Sequence, residues 1–245
     1  MFNNWQNLIR PKGLIFDSQK ISGTHGKFEV RPLERGFGTT IGNSLRRILL
    51  SSLQGAAIVG AKIDGVEHEF STLPGMNEDV SDVLLNLKQV RIKLHQGHDA
   101  VLRLKASGEK VVTAGDLEVP ANAEILNPDQ VIASLGENGK LNMELYVGLD
   151  KGYSPAEQNK TETMPVGMIP LDATFSPIRR VNYTVTNARV GQMTDYDALT
   201  LEIWTDGSVR PDDALAFSAK ILKEQLQIFI NFEEIDEPTD EDISD

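Results

Sequence analysis

Apolar residues along this chain recur at two periods, and the change of period outlines its elements. In Val90-Ile92-Leu94, Leu102-Leu104-Ala106, Leu141-Met143-Leu145-Val147, Val181-Tyr183-Val185 and Leu199-Leu201-Ile203, every second residue is apolar. That alternation marks strands with one buried face. Turn-forming residues at Gly97, Gly108, Asn138-Gly139 and Asp206-Gly207 separate them. Three further segments repeat at three and four residues. In the first, Ile41, Leu45, Ile48, Leu49 and Leu53 form one stripe, with Asn43, Arg46, Arg47 and Ser51 mostly off it. This predicts a helix beginning near Thr40, with Thr39 or Thr40 accepting from its free amides and Gly36, Gly38 and Gly42 allowing a turn around Phe37. The second helix spans about Glu78 to Lys88 on Val80, Val83, Leu84 and Leu87, and the third runs from Pro211 to about Asn231. Strands followed by isolated helices, without βαβ alternation, make the class α+β.

The third helix has a clear start, since Pro211 suits a first turn and Asp212 and Asp213 favour the positive end of the helix dipole. Its apolar residues, Leu215, Phe217, Ile221, Leu222, Leu226, Ile228, Phe229 and Ile230, spread wider than one stripe. Such a helix packs on its own sheet and on something else. The first and third helices lie near opposite ends of the chain. If both serve one surface, the chain between them is an excursion that leaves and returns.

Candidate chemistry is sparse. The string Gly36-Phe37-Gly38-Thr39-Thr40-Ile41-Gly42 is spelled like a dinucleotide loop, but its last glycine comes one residue late, and Arg31, Pro32, Glu34 and Arg35 precede it where an apolar strand is required. His95 and His98 sit in a polar turn, and with His25 and His68 they make no convincing ligand set, so no metal is expected. Asp240, Glu241 and Asp242 lie in a stretch too polar to hold a rigid catalytic triad. Ser44, Ser51, Ser52, Ser71 and Ser176 lack a G-x-S-x-G elbow. The sequence therefore points to no catalytic residues and no cofactor. Arg46 and Arg47 remain: off the apolar stripe, a guanidinium fork suits carboxylates or carbonyls on a protein partner, the alternative being solvated charge.

Composition narrows the class further. A chain of 245 residues buries a sizeable core in one or two domains. It contains no cysteine, which removes disulfides and thiol chemistry and fits a reducing cytoplasm. The N-terminus carries no long apolar run and no stretch approaches the roughly 20 apolar residues of a membrane span. A net charge of −12 argues against nucleic-acid binding, but eight acidic residues between Glu233 and Asp245 supply most of it, leaving −4 for residues 1–232. With Pro238 and almost nothing apolar, that tail is expected to be disordered.

The run PLERGFGTTIGNSLRRILLSS, Pro32 to Ser52, closely resembles a near-signature of the bacterial RNA polymerase alpha subunit, N-terminal domain. Four further strings are similar to that family in the same order: Ile63 to Thr72, Glu78 to Lys88, Asp172 to Val185 and Ala188 to Leu215. The resemblance implies a discontinuous dimerisation domain, residues 1–53 and 180–232, an antiparallel sheet with two long helices. Into it a β-rich domain, 54–179, is inserted, and 233–245 becomes an acidic linker. It implies a cytoplasmic homodimer that scaffolds assembly of the beta and beta-prime subunits, with sigma and omega in the holoenzyme, as a non-catalytic part of a nucleotidyltransferase. Arg47, with Arg46 and Leu50, falls at beta-binding positions. Lys88, Leu171 and Asp172, and with less direct correspondence Ser176, Pro177, Arg189, Thr194 and Asp195, fall at positions for beta-prime. Phe37, Ile41, Leu45, Ile48, Leu215, Leu222, Leu226 and Phe229 are the expected dimer contacts. The family continues into a small helical domain that contacts DNA and activators; this chain stops at Asp245, so direct DNA contact is not expected. The rival reading is a dimeric β-rich interaction module unrelated to transcription.

Overall fold

A computed structural model describes residues 8–9, 11, 13–16, 22–160, 164–190 and 193–231. The chain opens with strands β1 (Leu14–Phe16) and β2 (His25–Leu33) and helix α1 (Phe37–Ser51). Its middle holds β3 (Gln54–Ile63), α2 (Val80–Leu87), β4 (Ile92–Leu94), β5 (Asp99–Ser107), β6 (Lys110–Thr113), β7 (Ala123–Ile125), β8 (Val131–Leu135) and β9 (Lys140–Lys151). Then come β10 (Tyr153–Ser154), α3 (Ala156–Asn159), β11 (Ile169–Pro170) and β12 (Ala173–Thr174). A long hairpin, β13 (Ile178–Val190) and β14 (Met193–Thr205), leads into α4 (Pro211–Gln227). The architecture is α+β with antiparallel sheets.

The two ends of the chain meet in one core. The four-stranded sheet runs β1-β2-β14-β13, so strands near the start pair with strands near the end. Leu201 stands opposite Phe28 on one side and Tyr183 on the other. Phe28, Leu199, Leu201 and Ile203 are buried there under Leu45 and Leu49 of α1 and Ala214 and Leu215 of α4. The middle of the chain has a separate core. It lies against a sheet in the order β5-β9-β3-β4-β7, with β11 on β3, and includes Val80, Val83, Leu84 and Leu87 of α2. Asp79 caps α2 by accepting from Asp82 N at 2.8 Å.

Between the cores the chain crosses twice, at Leu53–Gly55 and at Phe175–Ile178. The crossings touch backbone to backbone, because a Cβ on Gly55 would stand 2.0 Å from the Phe175 carbonyl oxygen. Phe175 N also donates to Gly152 O at 2.8 Å and Asp206 N to Pro177 O at 2.9 Å, which ties the second crossing to the ends of β9 and β14, while Gln54 of the first pairs with Lys151 of β9.

The start of α1 differs from the sequence expectation. The helix begins at Phe37, and neither Thr39 nor Thr40 caps it; the Thr40 hydroxyl donates to Gly36 O at 3.2 Å. The cap comes from β14. The buried Asp197 carboxylate accepts from Gly36 N at 2.9 Å and Gly38 N at 3.0 Å, although it lies 161 residues from Gly36 along the chain. Among the three glycines only Gly36 has left-handed backbone, φ 90°. A Cβ on Gly38 would lie 2.8 Å from Val185 Cγ1, and one on Gly42 2.8 Å from Tyr183 Cδ2. These two glycines let α1 lie close on the sheet. At the other end of the chain α4 stops at Gln227, short of Asn231, with Phe229 and Ile230 continuing in turn-like bonds to Leu226 O and Gln227 O.

Candidate partner-binding surfaces

On α1 the arginine pair divides. Arg46 is tied to its own sheet, donating from Nε to Val181 O at 3.3 Å. Arg47 is exposed, and among the described residues its guanidinium meets no hydrogen-bond or ion-pair partner. An unpaired, permanently charged fork on a rigid helix is ready to donate to a carboxylate or carbonyl. Leu50 is half-buried against the first core, leaving only part of its side chain for a partner.

The expected dimer contacts also divide by burial. Leu45 and Leu215 are each only 7% exposed, inside the chain's own core. Ile41 and Leu222 are half-buried at its margin, and Ile48 is half-buried. Phe37, Leu226 and Phe229 stand in solvent, Phe229 at 79% exposure, and Phe217 and Ile228 of the same terminal region are exposed with them. An apolar cleft of about 290 Å³ opens between α1, α4 and the sheet, lined by Leu14, Val30, Ile41, Leu45, Leu215 and Ala219. Exposed rings of this size are more apolar surface than a chain ordinarily leaves uncovered.

The positions grouped around Lys88 come from three parts of the chain. Lys88 ends α2, Asp172 sits between β11 and β12, and the two form an ion pair across 84 residues. Tyr153 on β10 donates its hydroxyl to the other Asp172 oxygen at 3.3 Å. The bonded Lys88 ammonium holds the Asp172 carboxyl below its ordinary value against the opposing effect of partial burial, and the Tyr153 hydroxyl lowers it further. Asn159 secures the backbone here, donating from Nδ2 to Leu171 O at 2.7 Å. Leu171 is buried and serves the second core. Ser176 is half-buried, its Oγ accepting from Ile178 N at 3.3 Å, and Pro177 is buried. Asp172 is thus more than a local turn acceptor, since both its oxygens are used over long range.

Arg189 and Asp195 are exposed near the far end of the β13–β14 hairpin, beside the Ala188–Tyr196 pair, whereas Ser176 and Pro177 lie at its base beside the Ile178–Thr205 pair. About ten residues of strand separate the two, roughly 30 Å. The expected beta-prime positions therefore form two separate clusters. The Thr194 side chain and the acidic segment 233–245 lie outside the described residues. Sequence reasoning missed Tyr153 and Asp197. Neither carries a local signal, because each acts through a partner brought to it by the fold. His95 pairs with Glu124 at 3.2 Å, and among the described residues no three His, Cys, Asp or Glu side chains group as a metal site. Among the same residues no helix is long and apolar enough to cross a membrane.

Comparison with known proteins places this geometry. The family described as RNA polymerase Rpb3/RpoA insert domain matches residues 61–176, the stretch that carries nearly all of the second core. A DNA-directed RNA polymerase subunit alpha from Pelobacter propionicus is 60% identical over 238 residues, covering 97% of this chain and 70% of that protein. The protein of the same name from Geobacter metallireducens is 58% identical over 241 residues, covering 98% of this chain and 71% of its own length. Identity at this level across both cores, with an insert-domain match confined to the middle one, means that the chain belongs to the bacterial RNA polymerase alpha subunit family.

Proposed function

We propose that this chain takes the place of its relatives in a DNA-directed RNA polymerase, pairing with a second copy and collecting the beta and beta-prime subunits. The observation that carries this reading is the exposed apolar surface of α1 and α4. Phe37, Phe217 and Leu226 sit on helices already packed on their own sheet, and Phe229 follows in the turn after α4, so the remaining area is free for a twin copy. In this reading the residues of the first core, about 1–53 and 180–232, form the dimerisation domain and 54–179 an inserted one. Arg47 serves the beta subunit. Lys88 with Asp172, and separately the far end of the β13–β14 hairpin, serve beta-prime. The chain itself contributes assembly, and nucleotidyl transfer belongs to the large subunits.

The test is co-expression of the whole chain with both large subunits, followed by mass measurement of the purified complex. Two copies of this chain per complex are expected. Arg47→Ala should leave the dimer intact and weaken beta capture by about tenfold or more, the loss expected at a charged interface anchor. Monomeric Arg47→Ala protein by size exclusion with light scattering sinks that assignment. Failure of the chain to co-purify with either large subunit favours an interaction module outside transcription.

A further inference from the structure

Four strands lie at the outer edges of the two main sheets, and three of them leave little backbone open. β1 and β7 are three residues long, and an edge that short gives an arriving strand little to pair with. β5 is longer, but Arg103 in its middle is bridged on the outer side by Glu118, amide to carbonyl in both directions at 3.2 and 2.7 Å. The exception is β13. It spans 13 residues, pairs with β14 along its length and, among the described residues, has no strand on its other side. Which of its groups point outward follows from β14. Thr205 N donates to Thr24 O on the β2 side, and along a strand the direction of amide and carbonyl alternates from residue to residue. Odd-numbered residues of β14 therefore bond toward β2, and Glu202 and Thr200 bond toward Asn182 and Thr184 of β13. That leaves Val181, Tyr183 and Val185 with outward backbone groups. Arg46 Nε donates to one of them, Val181 O, at 3.3 Å, and among the described residues no other hydrogen bond reaches the outward groups of these three.

The placement of Arg46 is built into α1. Positions 38, 42 and 46 of the helix step along β13 against 185, 183 and 181, since a Cβ on Gly38 would stand 2.8 Å from Val185 Cγ1 and one on Gly42 2.8 Å from Tyr183 Cδ2. Four helical residues advance about 6 Å and two strand residues about 6.8 Å, so helix and strand stay in step over two turns. At the first two steps a glycine lets the helix close on the strand; at the third an arginine reaches the strand's edge. We propose that Arg46 guards the free edge of β13, keeping this strand from pairing with the β13 of another copy, and that it is not a contact to the beta subunit. A long edge with open amides and carbonyls is a template for strand addition, and a permanent charge held at that edge repels the same charge on a second copy. The arginine pair then divides its work, Arg47 facing a partner and Arg46 serving its own sheet. Only the second half of the proposal rests on the reading that beta docks at Arg47; the guard is read from self-association alone.

The experiment follows the mass of the whole chain by light scattering from about 1 μM to about 1 mM, the range in which open strand edges associate. Arg46→Ala should grow with concentration to at least about twice the parent's mass. Arg46→Lys keeps a charge and a donor and should hold the parental mass. Thr184→Lys, a charge on the exposed outer face of the same strand, should restore that mass when added to Arg46→Ala. Parental mass for Arg46→Ala across the range overturns the guard. So does equal growth by Arg46→Lys, or growth that Thr184→Lys leaves untouched, because that association uses another surface. At the lowest concentration, immobilised beta subunit should capture Arg46→Ala within about threefold of the parent, while Arg47→Ala loses about tenfold or more. A tenfold loss by Arg46→Ala at parental mass makes it a contact residue and overturns the second half of the proposal. Parental capture by Arg47→Ala removes the docking assignment of that residue and leaves the guard to stand or fall on the masses. All the substituted side chains are exposed, and an unchanged circular dichroism melt verifies that each variant folds.

Discussion

At the scale of single residues, glycine and carboxylate positions in this chain act through neighbours far away in sequence. Gly42→Ala adds a methyl group 2.8 Å from the Tyr183 ring and 2.9 Å from Leu199 Cδ1, so α1 must lift from the sheet, at a cost of about 1–3 kcal/mol in denaturant unfolding. Gly36→Ala meets no atom within 4 Å; its cost, about 1–2 kcal/mol, is that of a left-handed residue with a side chain. Asp197→Ala strands two first-turn amides and should cost about 1–3 kcal/mol. The Asp172 carboxyl should titrate below its ordinary value of 3.8 by carbon NMR, and Lys88→Met should move it back up. Its lowered value in the folded chain means that the pair's contribution is present above the ordinary carboxylate value and is lost as pH falls through the lower folded one. The pair is therefore unchanged between pH 5 and 8, and beta-prime capture should not vary there on its account.

At the scale of elements, α1 and α4 each present one face inward and another outward, and burial separates the consequences. Leu45→Asp places an unpaired charge in the first core at a position only 7% exposed, and should lower stability by more than about 3 kcal/mol. Phe229→Asp changes a residue 79% exposed in the single chain, so the protein should fold with a normal circular dichroism melt and run as a monomer by light scattering. A Phe229→Asp protein that keeps the dimer mass at low concentration contradicts the assignment of that surface. The period-3.6 stripes on α1 and α4 were legible in the sequence because packing on one sheet demands them. The start of α4 at Pro211 was legible too, but the start of α1 and the end of α4 were not. The cap of α1 comes from Asp197 on another strand, and α4 gives way to turns at residues whose composition remains helical.

At the scale of the molecule, two cores are joined by two crossings pressed together at Gly55 and Phe175. Gly55→Val cannot be fitted without parting those strands and should destabilise the chain by more than about 2 kcal/mol while weakening capture of both large subunits, because the crossings set how the Arg47 and Lys88 faces stand to each other. Intact capture of both subunits by a Gly55→Val chain, read by the same co-purification, removes that link. Local repetition in the sequence determined the α+β class, the alternating strands and the three main helices, because period and turn chemistry depend on neighbours in the chain. Strands β2 and β3 escaped that reading; β2 is interrupted by Gly26 and Pro32, and β3 is built largely of alanine and glycine. Only the tertiary structure decided which residues meet across long separations. It brought Asp197 to Gly36 and Gly38, Asp172 to Lys88 and Tyr153, and the two ends of the chain into one sheet, while setting the hairpin tip apart from the Lys88 patch. Such pairings depend on how β13, β14 and the crossings fold back on earlier segments, and no local spacing along the chain encodes that.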